Sequence, residues 1–314
     1  MSRSPPKPVI LDTDPGVDDA LALLYLRANP ALRLLAMTTV FGNADVETTT
    51  RNALYLRDRF CPDTPVYRGA AAPLARPRGA APTHVHGDNG LGDIAVPSFT
   101  RPVDPGVAHE RIIALARAHP GQITLIAIGP LTNLALALRA APDIAGLIAQ
   151  VVVMGGAFGT GGKSGNVTPF AEANIHNDPE AADAVLAAAW PVTLIGLDVT
   201  TLCVLTNADA LDLAKFGGEE GRFANDVSRG YAAAYARHEG LDGCCLHDVA
   251  AVAYAVDPTP FHARRGAITV GLDEARRGQT RWSADDGRPL QSACLSADTA
   301  VIVADFLRAL TRAT

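Results

Sequence analysis

The chain alternates short, wholly apolar runs with amphipathic or alanine-rich stretches. The runs at residues 9–11, 34–40, 66–68, 123–128, 151–154 and 192–197 read as strands. Residues 20–26, 46–58, 107–118, 131–139 and 179–190 read as the helices between them. Runs such as ITLIAI and VVVM do not alternate polar with apolar positions, so both of their faces need a cover of helices. This pattern predicts βαβ units around a mostly parallel central sheet, a Rossmann-like α/β fold. Beyond about Arg264 the pattern changes to short strands at 267–272 and 280–283 and a last helix near 299–310. Neither an internal repeat nor a linker interrupts it, and residues 1–314 read as a single domain.

Polar, small and acidic residues gather at the ends of the strands. The first strand runs into DTDPGVDDA, the second into Phe41-Gly42-Asn43, the fourth into Gly129-Pro130-Leu131-Thr132-Asn133, the fifth into Gly155-Gly156 and the sixth into Asp198. In open parallel sheets that edge binds ligands. Residues 70–105 form a long Pro- and Gly-rich connection carrying His84, His86 and Asp88, and loops of this length are commonly functional. Asp12, Asp14, Asp18 and Asp19 crowd one turn. At ~4 Å, two like charges cost about 1 kcal/mol in water and about 4 kcal/mol at an effective dielectric near 20. A hard cation resolves that repulsion. Helix capping accounts for Asp18 and in part for Asp19, but gives no role to Asp12 and Asp14.

Composition narrows the class. Hydrophobic residues make up 48% and charged residues 19%, the balance of a globular chain. A net charge of −6 without a Lys/Arg block argues against a nucleic-acid partner. No apolar stretch approaches the ~20 residues of a membrane span, and the opening MSRSPPKP lacks the apolar core of a signal peptide. Cys61, Cys203, Cys244, Cys245 and Cys294 are odd in number and lack zinc spacing, which suits a reduced, cytoplasmic setting. Adjacent Cys244 and Cys245 read as small buried side chains rather than a redox pair.

Several motifs admit competing readings. The glycine-rich stretch at 155–165 with Lys163-Ser164 fails as a P-loop, because the glycine that motif requires falls on Ala157. Asp12-Thr13-Asp14 after a strand suggests an aspartyl nucleophile of a Mg²⁺ phosphatase, although Pro15 and the lack of a suitable downstream Lys count against it. Asn166, Glu172 and Asn174 suit sugar hydroxyls, or are plain loop polarity. Asp248 caps a helix or holds a metal, and His247 beside it is incidental or a proton donor. Tyr231 and Tyr235 share one helix face, to stack on a ligand or to pack the core.

Taken together, these motifs resemble the nucleoside hydrolase family, the inosine-uridine preferring type, along nearly the whole chain. DTDPGVDDA is the most specific match. It is supported by Thr39–Asn43, His86-Gly87 with Gly90-Leu91-Gly92, Gly129–Asn133, Val153–Gly156, Gly165-Asn166 through Asp178–Ala182, and His247-Asp248. The resemblance implies a calcium-dependent N-ribohydrolase that releases ribose and a free base. By motif position, Asp14, Asp19, Asp248 and the Thr132 carbonyl would bind Ca²⁺, and Asp14 would act as base on the bound water. Asp18, Asn166, Glu172 and Asn174 would hold the ribose, with Asn43 and Met154 near the ring or the water. His247 would protonate the leaving base, and His86 would face it. A homodimer or homotetramer is implied as well. Asp12 would support the cluster or cap. Two departures stand out: Ala173 replaces an aromatic residue of many relatives, and the loop at 156–166 is longer. The rivals are the phosphatase and a non-catalytic nucleoside-binding protein on the same scaffold. Retention of both Asp14 and His247 speaks against the latter, since binding alone needs neither base nor acid.

Overall fold

The computed structural model describes residues 5–97, 102–160 and 162–312. Its strands are β1 (Lys7–Thr13), β2 (Leu32–Thr39), β3 (Val66–Arg68), β4 (Thr124–Ala127), β5 (Gln150–Met154), β6 (Val192–Ile195), β7 (Val204–Leu205), β8 (Cys244–Cys245), β9 (Phe261–Val270), β10 (Thr280–Ser283) and β11 (Gln291–Ala297). Among the described residues, nine of them form one sheet in the order β10-β9-β11-β6-β5-β4-β1-β2-β3. From β11 to β3 every pairing is parallel. At the far edge β9 and β10 run antiparallel, while β7 and β8 form a separate antiparallel pair.

Both faces of the sheet are buried, as the unbroken apolar runs require. Val9, Leu11, Ile126, Val152 and Ile195 pack into one core. Their neighbours Ile10, Leu125, Val151, Val153 and Leu194 pack into the other. This is period-two alternation with two apolar faces, the α/β arrangement expected from the pattern. Helices such as Val17–Ala28, Val46–Phe60 and Thr132–Ala140 cover the faces.

Four departures from the sequence expectations concern the sheet and its flanking helices. The sixth strand stops at Ile195, and Leu197 and Asp198 already belong to the short helix Leu197–Thr200. The helix from Pro179 ends at Leu186, short of Trp190. The strand expected at 267–272 begins earlier and spans Phe261–Val270. Strand β11, QSACLSA, went unanticipated because its small and polar residues carry no apolar run, yet it is inserted between β9 and β6. All five cysteines are free, and Cys244 and Cys245 are buried as expected. Among the described residues, no helix is long and apolar enough to cross a membrane.

One buried side chain holds β11 in place. Gln291 accepts a hydrogen bond from Val192 N at 2.9 Å and donates to the carbonyls of Leu186 at 3.2 Å and Ala188 at 3.0 Å. Gln291→Ala strands the buried Val192 N–H and Leu186 carbonyl and frees the half-buried Ala188 carbonyl, at ~1–3 kcal/mol for each buried group left unsatisfied. A fall in urea-unfolding free energy of at least ~2 kcal/mol is expected; a variant as stable as the parent would show that β11 is held by its ladder alone.

Candidate active site

Strand β1 pairs with β2 on one side and β4 on the other, and the chain order reverses there, opening a crevice at its carboxyl end. The turn that leaves β1 is folded by Asp19. Its Oδ1 accepts from Thr13 Oγ1 at 2.5 Å and Asp14 N at 3.2 Å, and its Oδ2 from Gly16 N at 2.8 Å and Asn43 Nδ2 at 3.0 Å. Gly16 is the N-cap of helix Val17–Ala28, and Asp19, at the third helical position, is the carboxylate that ties back to the cap N–H. This corrects the expectation that capping belongs chiefly to Asp18.

The other carboxylates are less fully engaged. Asp14 Oδ2 accepts from Asn43 N at 2.7 Å, and Asp18 Oδ2 from Tyr231 Oη at 3.4 Å. Asp12 Oδ1 takes Thr38 Oγ1 at 2.5 Å and Asn133 Nδ2 at 2.8 Å. Asp12 Oδ2, Asp14 Oδ1 and Asp18 Oδ1 are buried with no hydrogen-bond partner among the described residues. Asp12 is fully buried, clamped by Thr38 of β2 and Asn133, and does not line the cavity, which counts against its service as the nucleophile of a phosphatase.

Glycines shape the wall around Asp14. A Cβ on Gly129 would lie 2.6 Å from Asp14 Oδ1, and one on Gly42 would lie 1.9 Å from Oδ2. Only bare α-carbons let the carboxylate sit where it does.

Burial and mutual repulsion dominate the electrostatics. Burial, then Asp19, raises Asp18 to about 8. Burial raises Asp14 well above the carboxylate range, with Asp19 adding to it. Asp248 is raised likewise by burial and then by Asp18, Asp19, Asp14 and Glu172. Oxygens of Asp18, Asp19 and Asp248 come within 4.8 Å of one another. No Lys or Arg is among the described residues lining the cavity above them. Orphaned oxygens, an all-oxygen donor set and no counter-charge fit a hard divalent cation. Asp18, expected to hold the sugar, stands in this group, whereas Asp14, expected to be a ligand, does not, although its Oδ1 is buried without a partner among the described residues.

Opposite the cluster, Glu172 caps helix Ala173–Asn177 by accepting from Asn174 N and Ile175 N, and its Oε2 also takes Gly156 N at 3.0 Å. Asn174 Nδ2 donates to the carbonyls of Ile128 at 3.0 Å and Met154 at 3.1 Å. Asn166 Oδ1 accepts from Ala173 N at 3.0 Å. A polar shelf is therefore fixed to the ends of β4 and β5.

Helix Gly218–Glu239 supplies the aromatic side. Tyr231 stacks on His86 with centroids 5.3 Å apart. Tyr235 Oη lies 2.7 Å from His247 Nε2, and Thr200 Oγ1 lies 2.7 Å from His247 Nδ1. Burial, then Lys163, lowers His247 to about 4. Burial, then His247 and His84, lowers His86 to about 3. His86 is thus neutral near pH 7, and its 3.9 Å approach to Asp18 is not an ion pair. His86 Nδ1 accepts from Val17 N at 3.3 Å, so the ring carries its proton on Nε2.

Asp18, Asn43, His86, Met154, Asn166, Glu172, Asn174, Tyr231, Tyr235, His247 and Asp248 line one cavity of about 590 Å³. Asp14, Asp19 and Thr132 are buried and do not line it, and the Thr132 hydroxyl is spent on Asp178 at 2.6 Å. Asp198 is not in the cavity either. It accepts from Phe158 N at 2.7 Å and Thr160 N at 2.6 Å, anchoring the loop at 156–166, of which Gly161 lies outside the described residues. A second cavity, about 570 Å³, opens at the amino ends of the strands beside Lys7, Gln291 and Arg265, but among the described residues no carboxylate or imidazole lines it.

The model of the inosine-uridine preferring nucleoside hydrolase family matches residues 9–304. The chain belongs to the nucleoside hydrolase family. It is 37% identical to uridine nucleosidase 1 of Arabidopsis thaliana over 283 residues, 88% of this chain and 83% of that one. A plant nucleoside hydrolase structure superposes with a TM-score of 0.94 at 33% identity, covering 98% of this chain and 99% of that one. The purine-preferring ribonucleoside hydrolase of Gardnerella vaginalis gives 0.92 at 33% identity, with 98% of each chain covered.

The hydrolase cavity also contains residues that sequence reasoning had not placed in it, including Ala80, Pro82, Val85, Asn177, His238 and Glu239. His238 was within reach, because Tyr231, Tyr235 and His238 follow the i, i+4, i+7 spacing of one helix face. The wall at 80–85 had no signal beyond the length of its loop and the His84 within it, which lines the cavity. For the glycine wall, Gly129→Ala is expected to push Asp14 aside and weaken divalent-cation binding at least ~10-fold, as disturbed metal-site support commonly does. Calorimetric titration of a folded variant with parental affinity would show the wall to be tolerant.

Proposed function

We propose that this hydrolase cleaves the N-glycosidic bond of ribonucleosides to ribose and free base, with Ca²⁺ held by Asp14, Asp19, Asp248 and the Thr132 carbonyl. One observation carries the reading: Asp18 and Asp248, at the face of a buried carboxylate cluster without a basic partner, line the same cavity as a hydrogen-bonded Tyr235–His247 pair. When bound, the cation neutralises the cluster and polarises the water and hydroxyl groups presented to it. Asp14, whose Oδ1 has no protein partner, takes the proton from the attacking water. Asp18, Asn166, Glu172 and Asn174 orient the sugar, while Asn43 fixes Asp14 and Met154 lines the floor. As the C1′–N bond breaks, positive charge grows on the sugar, and the surrounding carboxylates and amide oxygens stabilise it.

On the leaving side, His247 acts in its protonated, imidazolium form: its Nε2–H passes a proton to Tyr235 Oη as the Tyr235 O–H passes its own to the departing base, leaving His247 neutral, with Thr200 Oγ1 against Nδ1. Tyr231 and His86 form the stacking wall, and the His86 Nε2–H donates toward the base. We further propose that residues 1–314 work as one unit, in the cytoplasm and as a homodimer or homotetramer. The five free cysteines support a reducing compartment.

His247→Ala should lower kcat by ~10²–10⁴ with a much smaller change in KM. Tyr235→Phe should reproduce most of that loss; a fully active Tyr235→Phe beside an inactive His247→Ala would assign proton transfer to His247 directly. Asp14→Asn should lose calcium affinity together with turnover. The decisive assay is ribose release from inosine, adenosine, guanosine, uridine and cytidine, with and without chelator. Failure of every substrate, with calcium supplied, rejects the reading.

A further inference from the structure

Asp178 is fully buried, yet it neither lines the cavity nor belongs to the carboxylate cluster. It stands between helix Ala173–Asn177 and helix Pro179–Leu186. Its two oxygens do different work. Oδ1 accepts from Ala181 N at 3.1 Å, an ordinary helix cap. Oδ2 accepts from Thr132 Oγ1 at 2.6 Å and Leu74 N at 3.0 Å, partners 46 and 104 residues away in sequence.

Each partner leads to a different wall of the site. Thr132 closes the turn that begins at Gly129, against which the Asp14 carboxylate rests. Leu74 starts the stretch that runs to the outer wall at Ala80, Pro82 and His86. Asp178 itself follows the helix that carries Asn174 and is capped by Glu172. We propose that Asp178 is a positioning residue, whose Oδ2 holds the carboxylate turn, the polar shelf and the outer wall in one register. A cap alone needs only Oδ1. The second oxygen joins the turn at Thr132 and the stretch from Leu74 at a single atom, and without it the Thr132 hydroxyl would be left buried and unpaired.

The two oxygens make the inference testable, with calcium affinity read by titration calorimetry independently of turnover. It rests on the calcium-dependent hydrolase reading for the identity of its probes. Asp178→Ala should raise the calcium half-saturation point and the nucleoside KM about tenfold each, with kcat changing less. Asp178→Asn, with its amide oxygen toward Thr132 and Leu74, loses only the cap. It should recover calcium affinity and KM while its Tm stays below the parent's. Thr132→Val keeps the cap and should shift calcium affinity in the same direction as Asp178→Ala. If Asp178→Ala lowers Tm but binds calcium and nucleoside like the parent, Asp178 is a cap and the inference falls. The same follows if Asp178→Asn is as impaired as Asp178→Ala. A parent protein that binds no calcium would overturn the functional reading as well.

Discussion

The constraint on which this molecule turns is the desolvation of carboxylates that have no basic side chain to answer them. Asp14, Asp18, Asp19 and Asp248 are buried side by side, and the described cavity lining contains four imidazoles but no Lys or Arg. Folding alone does not reward such an arrangement, since each ion loses its hydration and repels the next. The fold holds it by giving Asp19 four donors while leaving oxygens of Asp14 and Asp18 unpaired. That asymmetry separates two jobs within one short motif. Asp19 shapes the turn and stands in the cluster with Asp18 and Asp248, while Asp14 and Asp18 each keep an oxygen available for a cation or a substrate.

The rest of the architecture serves that turn. The parallel sheet directs the carboxyl ends of β1, β4 and β5 to one edge, and each strand contributes a loop whose backbone is tied to a polar side chain of another. Asn133 exemplifies the economy of this tying. Its amide donates to Asp12 and the Thr39 carbonyl and accepts from Ala70 N, linking β1, β2 and the long loop. Asp12 belongs to this framework, which explains why an acid in the signature turn sits so far from the cavity. On the far side, helix Gly218–Glu239 sets its tyrosines against His86 and His247, so that one helix face closes the aromatic half.

Much of this was legible from the residues. The apolar runs marked six of the sheet strands, because a strand buried on both faces must be apolar at nearly every position. Acidic and small residues at strand ends marked the edge where the site lies. Strand β11 was invisible, since its burial depends on Gln291 and on neighbours far away rather than on its own composition. Asp198 was misplaced for a related reason: a carboxylate at a strand end can serve backbone amides of a loop as readily as a ligand, and sequence position does not distinguish the two.

By itself, then, the sequence determined the layered α/β class, the family signature and the chemical type of the site, because periodicity and residue type are local properties. Only the tertiary structure decided which aspartate caps, which is clamped and which keeps a free oxygen. It also decided that His247 is engaged on both nitrogens and that Asp178 joins three segments. Those roles are set by distances between groups tens to hundreds of residues apart. A hydrogen bond or a buried repulsion exists only once the fold has brought its partners together and removed the water between them.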